Sequence, residues 1–373
     1  HMKMIFVTAL AGVLAGSLPA ETIKVYLGTQ GRGDSKGIYV CDFDTATGDL
    51  SKPKLAAELA GCGFVALHPS KKYLYSTARA DGNAVAAFKI RKDGTLMPIN
   101  TQPSEGNGPC HVSVDATGSC LLVANYGSGS VAALKIDEDG SLVKSSSTHQ
   151  HKGSSVNEKR QKGPHAHSFY AGPDNKFAYS PDLGIDKVMI YQLDAESAKL
   201  TEAGAAKTAP GAGPRHMKFG KDGKQSYVLN EMHLTVSVFD RDSKTGLLKE
   251  KQIANCLDKG TDHNGMSCSE IRVHPGGKHV YTANRDVAGK GRDSISVFEV
   301  QEGGKLNLIQ VEPAKVEIPR NINLSPGGNW LLVAGQRSGN VPVFRIGKDG
   351  KLKFSGNEVK VANAMCVEFL QRK

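Results

Sequence analysis

Five short segments carry side chains that move protons or hold anions, and they recur at similar intervals. They are Gly108-Pro109-Cys110-His111, Gly163-Pro164-His165-Ala166-His167, Gly213-Pro214-Arg215-His216, Ser269-Glu270-Ile271-Arg272 and Pro319-Arg320-Asn321. A second set of polar residues ends short apolar runs: Arg79, Asn125-Tyr126-Gly127, Asp182, Asn230-Glu231, Asn284-Arg285 and Gln336. Imidazole exchanges protons near neutral pH. Guanidinium is a rigid fork of donors for a carboxylate, a phosphate or a developing oxyanion. Together with one carboxylate, such groups placed around one mouth are the layout expected of a pocket for a polar substrate. No serine elbow or metal-ligand spacing competes, so neither a metal nor another cofactor is expected.

Each residue also has a structural reading. Asn125, Asn230 and Asn284 fit turn caps. Asp182 fits a tie between neighbouring elements. Aligned on their Gly-Pro pairs, His111 and His216 fall out of phase with His167, so some of these rings point into a sheet. His165 and His167 are two apart and share a face in a strand, which leaves open the one that reaches a cavity. Arg215, Arg285 and Glu231 are harder to explain as scaffold, because charged groups at a rim need partners or a ligand.

The elements that position these groups are strands. Turns at His68–Lys71, Asp115–Gly118, Gly172–Asn175, Gly220–Gly223, His274–Gly277 and Ser325–Gly328 recur with intervals of 47, 57, 48, 54 and 51 residues. Between them lie runs such as Tyr73–Ala78 (YLYSTA) and Ala84–Ile90 (AVAAFKI), with the alternation of half-buried strands. A period near 50 built from strands predicts an all-β, seven-bladed β-propeller with four antiparallel strands per blade. Thr22–Gly28 and Gly37–Phe43 look like second and third strands without a first. The run Ala364–Phe369 has no blade after it, so the C-terminal strand is expected to complete the first blade and close the ring. In such a ring the starts of inner strands and the ends of second strands share one face, which is where the polar segments above fall. The long insertion from Thr148 to Lys162 is expected to fold over that face as a partial lid.

Lys and Arg number 47 against 37 Asp and Glu, a net charge of +10, but no basic run marks a nucleic-acid-binding arm. An anion-binding pocket accounts for part of the excess. Residues 1–20 stand outside the repeat. His1-Met2 reads as a cloning scar, and Lys3, the apolar stretch Ile5–Gly16 and Ser17–Ala20 read as a signal peptide. The mature chain, a single domain over 21–373, is then expected in a periplasm or outside the cell, with no membrane contact after cleavage; without a working signal it stays cytoplasmic. Seven cysteines leave at least one free thiol. A Cys256–Cys268 disulfide suits an oxidising compartment, and the other cysteines suit packing.

The segments GPHAHS (163–168), PDLGIDKV (181–188), GAGPRHM (211–217), CHVSV (110–114), ANYG (124–127) and Asn230-Glu231 resemble the seven-bladed propeller lactonases over roughly residues 22–370. That family includes the propeller-type bacterial 6-phosphogluconolactonases and the 3-carboxy-cis,cis-muconate lactonizing enzymes. Ala334-Gly335-Gln336 and Arg79 look closer to the first branch. The resemblance implies a catalytic set of His167, Arg215, Glu231 and Arg285, with Arg79, His111, Asn125, His165, Asp182, Arg320 and Gln336 about the substrate. It also implies hydrolysis of a small anionic sugar δ-lactone, with His167 shuttling the proton, Glu231 orienting it or an arginine, and Arg215 and Arg285 holding anion and oxyanion. A leader is out of place on a cytoplasmic sugar-phosphate enzyme, so the expected substrate is 6-phosphogluconolactone or a related aldonolactone, phosphorylated or not. A muconate cycloisomerase and a glycan- or protein-binding propeller are the alternatives.

Overall fold

A computed structural model of the chain describes residues 21–79 and 82–371; the expected signal peptide lies outside them. These residues form seven four-stranded antiparallel sheets. Six are consecutive in sequence. The innermost to outermost strands of blade 5, for example, are Pro214–Phe219, Gln225–Asn230, Thr235–Arg241 and Leu248–Asn255. Blade 1 is composite. Its inner strand is Ala364–Leu370, paired to Thr22–Thr29 in the register Lys24↔Leu370 through Gly28↔Cys366. The ring therefore closes as expected, by hydrogen bonds between the two ends of the chain, and both neighbours of Thr22–Thr29 are filled.

The hydrophobic core lies between blades. One cluster joins Tyr26, Ile38, Val40 and Cys366 of blade 1 to Leu74, Ala86, Phe88 and Leu96 of blade 2. Others repeat the arrangement around the ring. A recurrent polar tie runs through this core. The hydroxyls of buried Tyr26, Tyr75, Tyr179 and Tyr281 donate to the carbonyls of Gly94, Gly140, Gly246 and Gly350 in the next blade, at 2.8–3.0 Å. These glycines sit at φ +75° to +91° in the tight turn before an outer strand, a conformation that disfavours a side chain. Each tie satisfies a buried phenol, and a hydrogen bond of this kind contributes about 1 kcal/mol.

All seven cysteines are free thiols. The expected Cys256–Cys268 disulfide is not formed: both are buried, and the Cys268 thiol instead donates to Asn284 Oδ1 at 3.3 Å. Among the described residues no helix is long and apolar enough to cross a membrane.

Candidate active site

At one mouth of the central channel the ladder between inner and second strands is interrupted blade after blade. Pro214 pairs with Asn230 but His216 pairs with Leu229, so Arg215 is an extra residue with no partner. Cys110 is extra in the same way between Pro109 and His111, and Arg320 between Pro319 and Asn321. In blade 6 the break spans Cys268 to Ile271 and includes Ser269 and Glu270. Such bulges re-aim side chains out of strict alternation. Consecutive residues Arg215 and His216 consequently both reach the cavity that opens there, about 740 Å³ in volume.

That cavity is lined by six arginines (Arg32, Arg79, Arg160, Arg215, Arg285, Arg320) and one carboxylate, Glu231. Glu231 is 4% exposed. Its Oε2 takes an ion pair from Arg215 and lies 3.3 Å from Arg285, while Oε1 takes Arg160 at 2.9 Å. Burial alone would raise the Glu231 carboxyl, but Arg215, Arg285 and Arg160 outweigh it and hold the group well below the usual carboxylate range. Backbone carbonyls fix two of the arginines: Arg215 Nε donates to Ser269 O at 2.7 Å, and Arg285 Nη2 to Cys268 O at 2.9 Å. Other donors stay free. Arg285 Nε has no hydrogen-bond partner among the described residues. Arg320 makes no hydrogen bond or ion pair there, and burial followed by repulsion from Arg215 and Arg285 pushes it well below the ordinary guanidinium value.

Two imidazoles face this cluster. His167 is held by its backbone N–H to Pro181 O (3.0 Å), and its Nδ1 lies 3.9 Å from the Cys110 thiol. Burial, then Arg215, His216 and Arg320, drive it well below the ordinary imidazole value, so it is neutral near pH 7. His216, with its ring centroid 5.3 Å from that of His167, lines the same cavity. Its Nδ1 lies 3.0 Å from Glu270 Oε1.

Arg160 comes from the insertion. Ser147–Gln150 is the outer strand of blade 3, so the free segment begins at His151. The segment is tied down by His151 Nδ1 to Asp182 Oδ2 (2.6 Å) and by Gln161 Nε2 to Asp186 Oδ1 (2.8 Å). A turn capped by Asn157 Oδ1 then presents Arg160 to Glu231 and to the Tyr126 hydroxyl.

His167, Arg215, Glu231, Arg285, Arg79 and Arg320 thus share one cavity. Five other expected residues do not line it, which corrects the sequence expectation for each. His111 is buried with its ring centroid 4.3 Å from that of Phe64, its Nδ1 accepting from Phe169 N. Asn125 caps backbone, donating to Ser104 O at 2.8 Å. His165 stacks behind Tyr126 and bonds its carbonyl. Asp182 is consumed by His151 and by the N–H groups of His165 and Gly184. Gln336 follows a second-strand end, its backbone N–H bonded to Ile318 O, but its side chain stays outside the lining. Sequence reasoning missed Arg160 and Arg32, and it placed Tyr126, His216 and Glu270 in the polar segments without assigning them to the site or pairing the last two. Only that pair left a signal, the doubled polar residues that a bulge displays.

Among the described residues no group of three or more His, Cys, Asp and Glu is placed to hold a metal ion. The family model described as "Lactonase, 7-bladed beta-propeller" matches residues 24–369. The 6-phosphogluconolactonase of Bacillus subtilis is 38% identical over 353 residues, 93% of this chain and 98% of its own length. That of Formosa agariphila is 34% identical over 334 residues, 87% and 93% respectively. The solved structure of the periplasmic gluconolactonase of Pseudomonas aeruginosa superimposes with a TM-score of 0.87 at 27% identity, covering 94% of this chain and 99% of that one.

Proposed function

The chain belongs to the 7-bladed β-propeller lactonase family and is a lactonase, and on that premise we propose that it opens a sugar δ-lactone bearing an anionic group, 6-phosphogluconolactone or a related aldonolactone. The observation that carries the substrate class is the imbalance of six arginines to one carboxylate in the cavity. A buried guanidinium left without partners is costly, and an anionic ligand relieves that cost. Arg320 and Arg285 Nε are two such donors without a partner among the described residues.

Water attacks the ring carbonyl, whose oxygen becomes an oxyanion facing fixed guanidinium donors. A neutral imidazole at the cavity wall takes the proton and returns it to the ring oxygen as the C–O bond breaks. Glu231 is a poor base because three arginines hold it ionised; it fixes their positions instead. The expected export of the chain supports an aldonolactone met outside the cytoplasm, and the P. aeruginosa neighbour named a periplasmic gluconolactonase supports the same reading. Proton release on 6-phosphoglucono-δ-lactone and glucono-δ-lactone, side by side, tests the substrate class, with the Arg215→Ala protein as blank. No acceleration over the blank on either substrate overturns the sugar-lactone reading, and acceleration on glucono-δ-lactone alone overturns the anionic group. Cell fractionation of the full-length chain tests export, and a cytoplasmic, uncleaved product overturns that.

A further inference from the structure

Behind the cavity wall a carboxylate meets the far nitrogen of one of the two cavity imidazoles, a pairing that the residue types alone did not give. Glu270 is fully buried in the bulge of blade 6 and accepts from four groups. Arg272 Nη1 reaches Oε1 at 2.6 Å, its neighbour's backbone N–H (Ile271) at 3.0 Å and His216 Nδ1 at 3.0 Å, while Asn321 Nδ2 reaches Oε2 at 2.6 Å. Burial would raise this carboxyl, but Arg272, His216 and Lys218 outweigh it and keep it ionised. An ionised carboxylate only accepts. The nitrogen facing it must carry the hydrogen, so neutral His216 is the Nδ1–H tautomer with an unprotonated Nε2. That Nε2 makes no hydrogen bond within the described residues, and the ring lines the cavity one residue from Arg215.

We propose that His216 is the general base of the lactonase reaction and that Glu270 is its positioning residue. This rests on the lactonase reading above. It departs from the expectation that His167 moves the proton. Among the described residues the His167 ring has one hydrogen-bonding contact, its Nδ1 3.9 Å from the Cys110 sulfur, and no ion pair with a carboxylate. An imidazole that takes up a proton becomes a cation in a cavity of arginines, and only His216 has a buried anion against its far nitrogen to offset that charge. In the step, a water O–H proton passes to His216 Nε2 while the water oxygen bonds to the lactone carbonyl carbon and the carbonyl π pair moves to oxygen. On collapse the C–O ring bond breaks and its electron pair goes to the ring oxygen, which takes the proton back from Nε2. The product is a hydroxy acid that ionises at neutral pH. No oxidant, metal or co-reactant enters.

The groups around His216 are Glu270, the Tyr170 hydroxyl 3.3 Å from Nδ1, the rings of His111 and His167, and the charges of Arg215 and Lys218. Glu270 is the one anion among them. The test is steady-state kinetics across pH on the lactone the wild type turns over, with His216→Asn, Glu270→Gln and His167→Asn. Histidine ¹⁵N correlation spectra report the tautomer in each protein. Asn at 216 keeps a donor for Glu270 and removes only the Nε2 base. His216→Asn should lose about 10²–10⁴-fold in kcat with KM nearly unchanged. Glu270→Gln should lower kcat, move the acid limb of the profile to lower pH and shift the His216 Nδ1–H resonance. His167→Asn should lose less in kcat than His216→Asn and leave the acid limb where the wild type has it, and a larger loss in His167→Asn than in His216→Asn overturns the assignment. An active wild type with a fully active His216→Asn overturns the base while leaving the lactonase reading intact. An acid limb unmoved in Glu270→Gln overturns the positioning role. A wild type that leaves both lactones at their spontaneous rate overturns the lactonase reading, and the base with it.

Discussion

Arg215 and Glu231 form a buried ion pair across sixteen residues of sequence, one as the extra residue of a bulge and the other as the first residue beyond the strand that faces it. Their meeting follows from the ladder: Pro214 is paired with Asn230, so the bulge residue and the residue just past the facing strand lie on either side of one rung. Arg285 reaches the same carboxylate from the next blade, where it is the last but one residue of the second strand and is paired with Ser267.

Removing an arginine should therefore act on the chemical step. Arg285→Ala is expected to lose about 10²–10³-fold in kcat, the usual effect of deleting an oxyanion donor. Arg285→Lys should restore little, since a point charge lacks the fork. Stopped-flow proton release checks both, and a change confined to KM would assign Arg285 to ground-state binding alone.

The Glu231 cluster sets a pH dependence of stability. Its carboxyl titrates lower in the folded protein than the ordinary value of about 4.3 in an unfolded chain. The unfolded state thus binds the proton more readily, so the contribution is complete above about pH 5 and is lost as pH falls through the folded value. At pH 7, Glu231→Gln should cost about 3 kcal/mol, because three guanidiniums lose their counter-ion. The gap between wild type and variant should narrow steadily below pH 4 in urea unfolding. A gap independent of pH would show that the carboxylate adds nothing as an ion.

Arg320, unpaired in the cavity, should select for substrate charge. Arg320→Ala is expected to cut kcat/KM at least about tenfold more on the phosphorylated lactone than on glucono-δ-lactone, the effect of one lost charge-assisted contact. Inorganic phosphate should compete with substrate in the wild type and much less in the variant. Equal losses on both lactones would place Arg320 at the reacting carbonyl.

Arg160 is 40% exposed at its side chain and rides on the tied insertion. Its loss should leave the melting temperature unchanged within about 1–2 °C, because the Glu231 carboxylate keeps Arg215 and Arg285 as partners, yet raise KM several-fold. A lowered kcat at constant KM would make it part of the transition-state machinery.

Much of this architecture was legible because it repeats. The turns at Pro69, Pro173, Pro275 and Pro326 mark blades without help from neighbours in space, and the unpaired run at Ala364 announced the closure. What defeated the sequence was phase. Strict alternation puts Arg215 and His216 on opposite faces; a bulge, formed by hydrogen bonds that only the folded sheet supplies, turns both inward. The same blindness made His111 and Asn125 look like substrate contacts, although each is spent on its own backbone surroundings. Arg160 lay outside the repeat altogether, so no register predicted its place.

The seam in blade 1 should be the molecule's point of failure. Deleting residues 364–371 exposes the edge of Thr22–Thr29 and uncovers the apolar side chains that pack against Val367 and Phe369. The truncated chain is expected to aggregate or to lose cooperative unfolding, as read by calorimetry. Normal melting after that deletion would mean that the ring does not depend on its closing strand.

The bulges carry a longer consequence for how such a molecule can change. A residue that the ladder skips is not counted in the register, so its replacement leaves every strand pair where it was. Cys110, Arg215 and Arg320 stand at such skipped positions. Selection on folding and selection on reactivity then act on different side chains, and one ring can be refitted for new substrates by single exchanges without first being rebuilt.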